Sequence, residues 1–110
     1  MMHDADSIVE LRTTFGRRDA AEACATRLVA ERLAACVQID GPVSSSYRWQ
    51  GRVERSEEFR CTCKTTVERA EACAAAMLQQ HDYDVPELIR RVVTASSAYA
   101  AWVRESVAGG

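Results

Sequence analysis

The stretch Tyr47–Lys64, YRWQGRVERSEEFRCTCK, constrains the rest of this 110-residue chain more than any other. Gln50-Gly51 is a turn signal, with a glycine where a tight hairpin favours φ > 0. The returning strand, Val53 to about Thr65, has no internal breaker. Its thirteen residues span roughly 43 Å when extended, at ~3.3 Å each. A compact chain of this length has a diameter of only roughly 35 Å. The first half of the strand (Arg52, Glu54, Arg55, Glu57, Glu58) is too charged for a core, yet Tyr47 and Trp49 stand opposite it. A two-stranded ribbon is marginally stable alone. The sequence therefore predicts an arm held by another copy of the chain.

Composition narrows the classes. With 47% hydrophobic and 27% charged residues, this reads as one globular domain over residues 1–110, with flexible tails at 1–6 and 107–110. A net charge of −2 argues against nucleic-acid binding and against a polybasic membrane patch. No apolar run reaches the ~20 residues of a membrane span, and MMHDADS lacks the pattern of a signal peptide. Five cysteines, odd in number and set inside periodic segments, suit free thiols in a reducing cytoplasm.

Taken in order, SIVELRTT (7–14) is a first strand, with Val9 and Leu11 on one face and Ile8, Glu10 and Arg12 on the other. Residues 15–18 read as a loop, and Asp19 with Glu22 as a capping-box start. The helix runs to about Arg32, burying Ala21, Cys24, Ala25, Leu28 and Val29. ACVQI (35–39) is a strand broken by Asp40-Gly41-Pro42, and 43–49 carries it into the hairpin. Thr65 with Glu68 starts a second helix, whose stripe is Ala70, Cys73, Ala74, Met77, Leu78 and His81. Pro86 marks the loop beyond it, Leu88–Val93 is a last strand, and Ser96 or Ser97 caps a short final helix. The order β-α-β-β-α-β plus a helix predicts an α+β, ferredoxin-like split βαβ: an antiparallel sheet with two helices on one face. If Phe59, Cys61 and Cys63 point to the helices, Glu58, Arg60, Thr62 and Lys64 point away.

Five pieces, in this order and spacing, carry a family resemblance: LAACV (33–37), YRWQGRVE with Glu58 after it, KTT (64–66), HDYDVPE (81–87) and YAAW (99–102). Over about residues 7–106 the chain resembles the CutA family of divalent-cation tolerance proteins. The resemblance implies a tight homotrimer, similar in architecture to PII signalling proteins. Sheets line its centre, long hairpins clasp neighbours, and clefts lie between subunits. It also implies a response to metal ions, with copper(II) binding in some members. The copper ligands proposed in the family are a cysteine, which matches Arg12 here, and two adjacent histidines, which match Gln80 and His81. Arg12 offers no lone pair to a metal, so His81 alone remains, unless Asp82 or Glu87 converges on it.

The other candidates follow from residue chemistry. His3 and a free terminal amine suit square-planar copper(II) or nickel(II). Cys61 and Cys63, two apart on a strand, have the wrong spacing for a zinc knuckle and read as core. On the family motifs, Cys36, Lys64, Tyr83, Glu87 and Trp102 suit a ligand cleft, with Lys64 placed to hold a small anionic ligand. Tyr47, Trp49, Arg52 and Glu58 suit the trimer interface. There is no HExxH, GxSxG, P-loop or GxGxxG, so no enzyme is expected. The alternatives to metal tolerance are a PII-like small-molecule sensor and a stable trimeric scaffold without a small ligand.

Overall fold

Alternating apolar and polar residues build four strands, and helical periodicity builds the elements between them. The computed structural model describes residues 4–109. It runs β1 (Ser7–Phe15), α1 (Arg18–Ala30), β2 (Cys36–Trp49), β3 (Arg52–Thr65), α2 (Val67–Gln80), β4 (Ile89–Thr94) and α3 (Ser97–Val107). The sheet order is β2-β3-β1-β4, and every neighbouring pair is antiparallel. This is the split βαβ arrangement the pattern predicts, an α+β fold.

The helix side of the sheet holds the main core. Val9, Leu11 and Phe15 of β1 and Cys61 and Cys63 of β3 pack against Ala21, Cys24 and Leu28 of α1 and Ala70, Cys73, Ala76 and Met77 of α2. Most of these helix residues are alanine or cysteine, which lets both helices lie close to the sheet. Val29 and Leu78, expected in the stripes, are exposed, while Ala76 is buried. Burial pushes the Cys24 thiol up to about 11 and the Cys61 thiol up to about 12. Cys63 is raised too, first by its hydrogen bond with the Cys73 thiol and then by burial. Buried, protonated thiols of this kind behave as small hydrophobes.

Several local expectations shift. Residues 15–18 are not all loop: Phe15 ends β1 and Arg18 begins α1. Asp19 does not cap α1, because its carboxylate accepts two bonds from Arg17 (3.0 and 2.6 Å). The α2 N-cap is Thr66, whose hydroxyl accepts from the Arg69 amide; Thr65 is instead buried and donates to the Leu33 carbonyl. α3 covers one end of the sheet's other face, where Ile8, Ala35, Ala100, Val103 and Val107 form a second core cluster. That packing draws part of the expected tails into the fold. Asp4–Asp6 makes a 3-10 turn, Arg104 donates to the Ala5 carbonyl, and Val107 is buried.

The arm is as long as its sequence demanded. β2 and β3 pair from Cys36↔Lys64 out to Trp49↔Arg52. Gln50 (φ 51°) and Gly51 (φ 79°) are both left-handed, as in a tight hairpin turn. Asp40-Gly41-Pro42 does not break β2 but is absorbed as an irregularity, with the register shifting between Asp40 and Val43. Pairing then places Val43, Ser45, Tyr47 and Trp49 on the same face as Glu58, away from α1 and α2. The molecule measures 45 × 31 × 21 Å with a radius of gyration of 14.8 Å, against about 13 Å for a compact chain of this length.

Candidate functional site

The C-terminal end of β1 supplies consecutive threonines on opposite faces of the sheet, and each anchors part of one groove. On the helix side, buried Thr13 donates its hydroxyl proton to the Glu87 carbonyl (2.6 Å). The same oxygen lies 3.0 Å from His81 Nε2. A hydroxyl has one proton, so Nε2 must carry its own and donate it to Thr13. His81 Nδ1 is thereby left as an acceptor, and the Tyr83 amide donates to it at 3.5 Å. The imidazole also stacks on Phe15 (centroids 4.4 Å, planes 11° apart) and meets the Tyr83 ring at 4.8 Å. His81 thus fastens the 81–88 loop to β1. It is the C-cap of α2, in extended backbone, rather than a member of the helical stripe.

On the other face, Thr14 donates to Glu58 Oε2 (3.2 Å), and the Tyr83 phenol donates to the same oxygen (3.0 Å). Glu58 is 9% exposed. Burial first, and then the bond to Glu58, push the Tyr83 phenol up to about 12, so it remains a proton donor. Thr14, Glu58 and Tyr83 line a groove of about 770 Å³ between the arm and the 83–87 loop, together with Ser45, Tyr47, Trp49, Asp84 and Glu87. The expected interface residues Tyr47, Trp49 and Glu58 and the expected cleft residues Tyr83 and Glu87 therefore share one groove. Arg52 stands opposite Trp49 at the exposed tip of the arm.

Cys36, Lys64 and Trp102 do not join that groove within one chain. Lys64 is the cross-strand partner of both Cys36 and Glu10, donates to Gln38 Oε1 and lies 3.9 Å from Glu10 Oε2. Glu10 also pairs with Arg91 (2.6 Å). Tyr99 approaches Cys36 (Oη to Sγ 3.9 Å) and meets the Trp102 ring at 5.6 Å. Glu10 and Thr14 are four residues apart on β1, roughly 13 Å at ~3.3 Å per residue. Within one chain the residues expected at the cleft thus fall into two groups, one beside the arm and one beside α3.

Within one chain no set of metal-ligating side chains gathers at His81 among the described residues. Both His81 nitrogens are engaged, and Asp82 and Glu87 do not converge on the ring: among the described residues, no three His, Cys, Asp or Glu side chains are placed to hold a metal. His3 lies outside the described residues. The sequence reading missed Thr13 and Thr14. Their signal was two polar side chains in a row where β1 should have ended in core.

The fold and the motifs point the same way as comparison with known proteins. The family model of the CutA1 divalent ion tolerance protein matches residues 9–106. The chain belongs to this family. It is 35% identical over 94 residues to the divalent-cation tolerance protein CutA of Thermus thermophilus, covering 84% of this chain and 91% of that one. It is also 35% identical over 94 residues to the chloroplastic protein CutA of Arabidopsis thaliana, covering 84% of this chain but only 52% of that one, so it spans about half the length of that relative. Among solved structures, CutA from Synechococcus elongatus superposes with a TM-score of 0.87 at 36% identity, covering 94% of this chain and 92% of that one. Among the described residues, no helix is long and apolar enough to cross a membrane.

Proposed function

We propose that this CutA1-family chain works as a homotrimer in divalent-cation tolerance, with the groove at the root of each arm as its ligand cleft. The observation that carries the reading is the arm itself. It projects Tyr47 and Trp49 from one face, 42% and 41% exposed, on a ribbon too long for its own domain to cover. Aromatic side chains on a projecting ribbon are the composition of a protein interface. The likeness to CutA proteins supports the same assembly, and five free thiols support a reducing cytoplasm.

The geometry favours a sensor-like cleft over a metal centre at His81, because that ring is already bonded at both nitrogens. Trp49→Ala tests the assembly. Losing a buried aromatic contact typically costs about 3–5 kcal/mol, so the variant should elute as smaller species at micromolar concentration, and elution unchanged from wild type would count against the arm as a clasp. Calorimetric titration with copper(II) and zinc(II) tests the metal side. Micromolar copper binding that disappears in His81→Ala would restore the metal reading.

A further inference from the structure

We propose that Cys63, Cys73 and Met77 form a three-sulfur site for copper(I) in the core between β3 and α2. Cys63 and Cys73 are 0% exposed and Met77 is 1% exposed within a single chain. No neighbouring copy covers or completes these sulfurs, so the site depends on neither the trimer nor the groove beside the arm. Cys63 packs on the helix side of the sheet. Its thiol donates to the Met77 thioether at 3.9 Å and shares a hydrogen bond with the Cys73 thiol. Cys73 and Met77 are four residues apart in α2, which sets them one turn apart on one helix face. One sulfur from the sheet thus meets two from the helix, on the far side of the core from solvent.

The donors select the ion. Thiolate and thioether sulfurs are soft ligands and suit copper(I) better than magnesium, calcium or manganese. A planar three-coordinate ion with metal–sulfur bonds of about 2.3 Å, the length of a zinc–thiolate bond, holds its sulfurs about 4.0 Å apart. The Cys63–Met77 separation of 3.9 Å matches that spacing, so the ion fits in the plane of the sulfurs without a cavity. Structural zinc takes four ligands, and among the described residues no third His, Cys, Asp or Glu joins the two thiols. In the empty core Cys63 is held protonated, first by its bond with Cys73 and then by burial. Copper(I) replaces the thiol protons of Cys63 and Cys73: two sulfur–copper bonds form, two protons leave to solvent, and no electron is transferred. The Met77 thioether adds its lone pair. Because the sulfurs are sealed, the ion enters by local opening of α2 against the sheet, and once bound it ties the two together.

The test is anaerobic titration of the full chain with copper(I), kept reduced by ascorbate, in competition with the chelator bathocuproine disulfonate. The expected result is one copper(I) per chain, with sulfur alone in the first shell by X-ray absorption. Affinity should fall with falling pH, by up to about a hundredfold per unit for two displaced protons. Cys36→Ala removes the half-buried thiol outside this core and should change none of these results. Cys73→Ala should weaken binding at least about a hundredfold. Met77→Leu keeps the core volume and so guards against a misfolded Cys73 variant; it should weaken binding about tenfold. Copper(I) should raise the urea midpoint of the wild-type chain and leave that of Cys73→Ala unmoved. No binding, binding lost in Cys36→Ala, nitrogen or oxygen in the first shell, or equal affinity in wild type, Cys73→Ala and Met77→Leu would each overturn the proposal. Copper(I) held by sulfur in a chain that remains monomeric would uphold it while removing the trimer.

Discussion

Thr13→Val removes one hydroxyl at nearly constant volume and should release the 81–88 loop from β1. The wild-type hydroxyl donates to the Glu87 carbonyl at 2.6 Å and accepts from His81 Nε2 at 3.0 Å. Each such bond contributes about 1 kcal/mol net, and a partner stranded away from water adds about 1–3 kcal/mol. The two stranded groups here are only partly buried, so water meets most of that added cost, and the expected loss is about 2–3 kcal/mol, chiefly the two bonds themselves. Urea unfolding at one fixed chain concentration reads this as a midpoint shift of about 1 M or more, taking a slope of about 2 kcal/mol per M. Amide exchange supplies the local readout. The backbone of residues 81–88 should exchange at least about tenfold faster, beyond what the global loss explains. Thr13→Ser, which keeps the hydroxyl, should retain most of the loop's protection. If Thr13→Val stays within about 0.5 kcal/mol of wild type and the loop exchanges as before, the two bonds do not hold the loop and the groove is not built as described.

Two other perturbations have a sign fixed by the structure. Gly41→Ala should cost about 1–3 kcal/mol in the same unfolding assay, because φ is +143° and a Cβ would meet the Glu58 carbonyl oxygen at 2.8 Å; Gly51→Asn, at φ +79° with nothing within 4 Å, should be far milder. Tyr83 makes stability fall at high pH. Its folded pKa is raised to about 12, above the ordinary value of about 10, so in that window the unfolded chain has lost a proton the folded chain keeps. Its contribution is complete below about pH 10 and is lost as pH rises to about 12, and Tyr83→Phe should flatten that fall while removing the latest component of the phenol absorbance titration.

Much of the fold was legible because Val9–Leu11 of β1 and Phe59–Cys63 of β3 alternate and both core helices carry small residues at helical spacing. The arm could be read from length alone: Val53–Thr65 has no breaker, and no packing detail was needed to see that it must project. What escaped depended on contacts between distant elements. Alternation places Ile8 on the face opposite Val9 and Leu11, correctly, but it does not show that α3 docks there and buries it. His81 followed the helical period from Met77, yet the helix ends one residue earlier, because Phe15 and Thr13 offer the ring a better place. Lys64 and Glu87 both lie on motifs, and a motif does not say that Gln38 and Glu10 engage one while the other lines the groove beside the arm. The threonine pair was visible but carries no distinctive chemistry until β1 is placed against the 81–88 loop.

The arm remains the feature on which the functional reading rests. Its most direct test is the absolute mass of the wild-type chain in solution, by light scattering through a dilution series in the micromolar range. The account predicts the mass of three chains, unchanged on dilution. The mass of a single chain at every concentration would contradict it.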